Sequence, residues 1–120
     1  MIQIKNFLFV ALGGGIGASL RYGINEWSKF GYKSTFIINM LGSLLIGVII
    51  GLAQKNNSFD EHLKLFLATG VCGGFTTFSA FSMENVTLFV EGKSITALTY
   101  MLSSVVIGVL AAWIGLKITS

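Results

Sequence analysis

The side chains of this chain that can meet an ion in an apolar setting are neutral hydrogen-bond donors. Asn39 stands between Ile38 and Met40, Thr76, Thr77 and Ser79 fall in one run, and Thr99, Tyr100, Ser103 and Ser104 in another. Tyr100 shares a helical face with Ser104, four residues on, and with Ser103, three residues on. Hydroxyls in file can replace the water around an ion, and they serve equally as bonds between helices. Asn39 has the same two readings, because a buried amide is costly until it finds a partner: it bridges helices, or it gives its NH2 to a passing anion. Phe78 and Phe81 are three apart and face one way if the segment after Thr77 is helical. A phenyl ring has a positive edge and a negative face. Two rings held edge-on would favour an anion without the grip of a lysine, although plain packing is the simpler reading.

The charged and nucleophilic inventory narrows the chemistry. No carboxylate lies centrally in an apolar run, and Glu84 stands three residues past Phe81. A central carboxylate usually marks a proton or cation route, so neutral donors suit a small anion better. Cys72, the sole cysteine, excludes an internal disulfide. His62, beside Asp60 and Glu61, reads as a solvated loop residue. Nothing resembles a hydrolytic triad, a metal cluster or a nucleotide loop, and an enzyme is excluded.

These residues must be positioned by membrane helices. The chain has 120 residues, 53% hydrophobic and 11% charged, against roughly 25% charged in soluble domains. Residues 34–54, 65–83 and 94–116 carry no charge, and each run matches the roughly 17–25 residues that span a bilayer as a helix. A fourth run, 6–20, is extended if Arg21 snorkels to the interface. Lys5 ahead of a run ending near Ala18 and Ser19 has the outline of a secretory signal, but three further spans favour its staying as the first helix. The expected helices are 4–25, 34–54, 63–90 and 94–118, in one domain over 1–120.

Fifteen glycines and no proline punctuate the spans. Gly13 and Gly17, Gly47 and Gly51, and Gly70 and Gly74 recur at spacing four, which lets membrane helices approach closely. Gly73-Gly74 followed by Phe75-Thr76-Thr77-Phe78-Ser79 joins poor helix formers to β-branched and hydroxyl residues. Either the helix breaks near 73–78, which membrane depth tolerates only beside protein or a polar cavity, or it continues with its hydroxyls bonded to their own turn.

Four spans place Lys5, Lys55, Lys64 and Lys117 on one side of the membrane and Arg21, Lys29, Lys33 and Lys93 on the other. Orientation normally follows an excess of Lys and Arg in cytoplasmic loops. Four against four gives no excess, which predicts subunits in both orientations and an antiparallel pair, unless the balance is chance. A proton-coupled small multidrug exporter of dual topology is the alternative of similar size. It needs a membrane carboxylate, and Glu84 is misplaced for that.

The glycine run Gly13–Gly17 leading to Arg21-Tyr22, then Asn39 with Gly42, and above all the stretch Gly70-Val-Cys-Gly-Gly-Phe-Thr-Thr-Phe-Ser-Ala-Phe81 resemble the Fluc (CrcB) fluoride channels over essentially the whole chain. The resemblance implies an all-α membrane protein of four transmembrane helices per subunit, the third broken at mid-membrane, in an antiparallel dual-topology homodimer. It further implies two fluoride pores in the bacterial plasma membrane, through which cytoplasmic fluoride leaves passively and its toxicity falls. Asn39, Thr77, Phe78, Phe81, Tyr100 and Ser104 would line the anion path, with Arg21 and Glu84 near the vestibules. Backbone oxygens of Gly73 and Thr76 from both subunits would hold a structural sodium ion (Na+). Ala80 stands where the family commonly has threonine, and Gly108 where some members place a further serine.

Overall fold

The computed structural model describes residues 2–56 and 59–120. Helix α1 is Ile4–Ser28 and α2 is Tyr32–Lys55. Helix α3, residues 61–75, joins Glu61–Lys64, Leu65–Cys72 and Gly73–Phe75; α4 is Phe78–Val90 and α5 is Ser94–Thr119. Counting α3 and α4 as one run, four helices among the described residues are long and apolar enough to cross a membrane. The longest dimension is 50 Å, against about 40–45 Å for a bilayer with its headgroups. Large apolar side chains such as Phe7, Leu12, Leu102 and Val109 cover the outside. In water such a surface would drive association; in lipid it is the solvated face.

The helices pack through the glycines. Helix α1 lies along α3, and α2 along α5. A Cβ added at Gly70 would come within 2.9 Å of Gly13 Cα, and one at Gly74 within 2.9 Å of Gly14 Cα. On the other seam, a Cβ at Gly47 would collide with Ala112 and one at Gly115 with Leu44. Backbone therefore meets backbone along both seams, where dispersion replaces the missing hydrophobic drive.

The ends carry local signals. Asp60 accepts from Leu63 N–H at 2.8 Å and caps α3. After α1 the chain turns through Lys29 and Gly31, both at positive φ. His62 is not a solvated loop residue: it lies in the first turn of α3 with its ring on Phe9, centroids 5.1 Å apart. Sequence places it in a polar link, but that link is only the helix entry, and α1 runs beside it.

Two irregularities mark the third membrane run. Leu65–Cys72 is π-helical, and Gly73 N–H reaches back five residues to Ala68 O, a wide turn often found at functional sites. The helix then stops. Thr76 (φ −82°, ψ 158°) and Thr77 (φ −149°, ψ 124°) are extended, and Thr77 Oγ1 accepts from Ala80 N–H at 3.2 Å to start α4.

Candidate functional site

Asn39 on α2 grips the interruption from both sides. Its Oδ1 accepts from Thr77 N–H at 2.8 Å, and its amide donates to Thr77 O at 3.1 Å. An amide nitrogen has two hydrogens, so one remains for another acceptor. Asn39 is thus the inter-helix bridge that its first reading expects, and it keeps a donor besides. Gly42, one turn further along α2, leaves room for Thr76: a Cβ there would strike the Thr76 methyl.

The grip also undoes the helical ladder. In a continuous helix Thr77 N–H would bond Gly73 O, and Ala80 N–H would bond Thr76 O. Asn39 takes the first donor and the Thr77 hydroxyl the second. The Gly73 and Thr76 carbonyls lose their in-helix donors, while Thr76 N–H and Oγ1 both stay on Cys72 O at 3.0 and 2.9 Å. A hard cation takes oxygen ligands, and two released carbonyls on one short segment fit such a role. One chain supplies two of them.

Beside the interruption lies a cavity of about 320 Å³ between α2, α3, α4 and α5. Asn39, Ser43, Gly73, Thr76 and Thr77 line it, together with Phe78, Phe81 and Ser104. Ser104 Oγ is buried and has no hydrogen-bond partner among the described residues. Phe78 and Phe81 share the cavity as their spacing requires, ring centroids 5.6 Å apart at 44°. Their exposures differ: Phe81 is 8% exposed and Phe78 78%, so Phe78 projects from the chain at the cavity mouth.

Tyr100 sits behind Phe81 and not in the cavity wall. It meets the Phe81 ring edge to face, 5.0 Å between centroids at 69°, and its hydroxyl donates to Glu84 Oε1 at 2.8 Å. Thr35 Oγ1 donates to Glu84 Oε2 at 2.7 Å. Glu84 is therefore a bound carboxylate with a hydroxyl on each oxygen. Arg21 lies on another side of the interruption, its Nε donating to Gly74 O at 3.2 Å.

Thr35 and Ser43 are the residues that sequence reasoning passed over. The signal was available, since Thr35, Asn39 and Ser43 repeat at spacing four and share one face of α2. That face looks towards Glu84, the interruption and the cavity in turn.

The arrangement is a small recess walled by neutral donors and phenyl rings, next to backbone carbonyls freed from their helix. Comparison with known proteins agrees with the sequence pattern that builds it. The profile of the family described as CrcB-like protein, Camphor Resistance (CrcB), matches residues 8–116. The fluoride-specific ion channel FluC of Flavobacterium psychrophilum is 45% identical over 121 residues, 96% of this chain and 97% of that protein. Proteins of the same name from Hyphomonas neptunium and Thermus thermophilus are 46% and 40% identical, covering 94% and 96% of this chain and 94% of each relative. With a profile spanning nearly all of its membrane helices and relatives this similar along their whole length, the chain belongs to the CrcB family.

Proposed function

We propose that the chain is the subunit of a fluoride-selective channel, a multi-pass protein of the bacterial plasma membrane that lets cytoplasmic fluoride leave passively. The relatives' shared name supports this reading, and the wall of the cavity carries it. Asn39 and Ser104 offer N–H and O–H groups with no carboxylate beside them, and Phe78 and Phe81 bring aromatic rings, whose positive edges suit an anion. Fluoride is small and strongly hydrated, so it enters only where donors replace its water; a larger halide gains less from the same donors. The proton-coupled exporter loses support, because Glu84, its candidate carboxylate, is held by Thr35 and Tyr100.

The working unit in this reading is an antiparallel homodimer of dual topology. Two freed carbonyls per chain make half of a four-oxygen shell, which a second copy would complete. The basic residues support opposed insertion: four stand against four, or four against three if Arg21 is set aside because it is tied to Gly74. Gly73 O and Thr76 O of both copies would hold sodium, which would supply a fixed positive charge at the centre of the pair.

Reconstituted vesicles loaded with fluoride test the function. With a potassium ionophore to balance charge, rapid fluoride efflux and little chloride efflux are expected. Proton movement dependent on a cationic drug would revive the exporter instead. For the dimer, Ser94→Cys should react with a membrane-impermeant thiol reagent from either side of the cell membrane, and labelling from one side alone would contradict dual topology. For sodium, its replacement by a bulky organic cation should lower the thermal midpoint of the purified protein; indifference would remove the assignment.

A further inference from the structure

Thr96, Thr99 and Ser103 lie on a different face of α5 from the cavity, and the channel reading leaves them unused. With Tyr32 and Lys33 at the start of α2 they line a groove of about 390 Å³ between α2 and α5. Three of the other threonines bond back to their own helix, Thr76 to Cys72 O at 2.9 Å, Thr87 to Met83 O at 3.0 Å and Thr119 to Gly115 O at 3.0 Å, and Thr35 reaches Glu84 instead. Among the described residues Thr96, Thr99 and Ser103 make no such bond. Among the described residues Lys33 makes no ion pair, and the pair that forms is Lys93 with Glu91. The groove thus presents hydrogen-bond donors and a cation on the outer surface of the single chain, and in an apolar setting an unmet donor is costly.

Its depth is set by the helix ends. Helix α1 finishes at Ser28, α2 begins at Tyr32 and α5 at Ser94, all at one end of the bundle. Trp27, 87% exposed, and Tyr22 lie on the outer surface near that end, and exposed aromatics with flanking lysines mark the boundary between membrane and water.

We propose that this groove binds the headgroup of an anionic glycerophospholipid of the phosphatidylglycerol type. The phosphate lies at Lys33 and Thr96. Thr99 and Ser103 follow about 4.5 and 10 Å deeper along the helix, at the level of the lipid's ester carbonyls, and Phe36 and Ile37 flank its first methylenes. A phosphodiester and two esters are acceptors only, and Lys33 and the hydroxyls of the wall can each donate to them. No carboxylate lines the groove to meet an ammonium, so a net negative headgroup is preferred over a zwitterionic one.

Native mass spectrometry of the purified full chain, titrated with phosphatidylglycerol, phosphatidylethanolamine or inorganic phosphate, tests this independently of fluoride flux. Phosphatidylglycerol should be retained in preference to the other two. Lys33→Gln should weaken that retention about fivefold, and Thr96→Val with Thr99→Val about tenfold or more. Thr96→Ser with Thr99→Ser, which keeps the hydroxyls, and Lys55→Gln, at the opposite end of α2, should retain the lipid as before. Folding of each variant is checked by its elution as a single species. Equal retention of both lipids, binding of phosphate alone, wild-type retention in the Lys33 and valine variants, or disulfide cross-linking of Ile95→Cys between two copies would each overturn the proposal.

Discussion

Replacing Asn39 by leucine removes one amide and strands two backbone groups. Leucine matches asparagine in length and fits an apolar helix, so the loss is chemical and not steric. Thr77 N–H and Thr77 O, now satisfied at 2.8 and 3.1 Å, would lose their partners in a half-buried site. An unsatisfied group costs about 1–3 kcal/mol, so two cost about 2–6 kcal/mol. One escape exists: Thr77 N–H can swing to Gly73 O and resume the helix, recovering about 1 kcal/mol. That escape re-occupies a carbonyl proposed as a sodium ligand and moves Phe78. Asn39→Leu is therefore expected to lower the thermal midpoint in detergent and to abolish fluoride efflux from vesicles together. A variant with wild-type midpoint and wild-type efflux would refute the claim that Asn39 holds the interruption open.

Three further outcomes follow from single contacts. Gly17→Leu should prevent assembly of α1 on α3, because even a Cβ there collides with the backbone of Val71 and lies 2.7 Å from Phe75 N; stable protein at normal yield would contradict the seam. Asn85→Leu should be neutral or stabilising, since among the described residues the buried Asn85 donates only to Phe81 O of its own helix, at 2.9 Å, and its Oδ1 has no partner; a large fall in thermal midpoint would show an unrecognised partner. Thr35→Val should leave Glu84 with one donor instead of two and cost about 1.5–3 kcal/mol, the range for a hydrogen bond to a charged group; an unchanged midpoint would mean that the carboxylate is served from elsewhere.

Much of the architecture was legible because lipid imposes simple rules. Runs of uncharged residues locate the four spans, and glycines at spacing four locate both seams, since each rule acts within one helix. The ends ran a few residues longer than the uncharged runs, with Glu26 and Lys55 accommodated in the terminal turns of α1 and α2. What sequence left open depends on contacts between distant segments. Whether 73–78 was continuous turned on Asn39, 38 residues away, capturing a single N–H. Arg21 was expected near a vestibule; its bond to Gly74 O spans 53 residues and leaves no local trace. Glu84 likewise drew its meaning from Thr35 and Tyr100, one on each neighbouring helix. Thr35 and Ser43 were passed over for a different reason, since small hydroxyl residues in a membrane helix usually bond to their own backbone, whereas Thr35 reaches across to Glu84.

The cavity beside the interruption is the proposed anion path, and its rings offer the most direct test. Fluoride efflux should be measured for Phe78→Ile and Phe81→Ile in vesicles, with the oligomeric state of each variant checked before reconstitution. Isoleucine keeps the apolar bulk but removes the positive ring edge, so both variants should conduct far more slowly than the parent while assembling normally. Parental efflux rates in both would contradict the account, leaving the rings as packing and the ion route elsewhere.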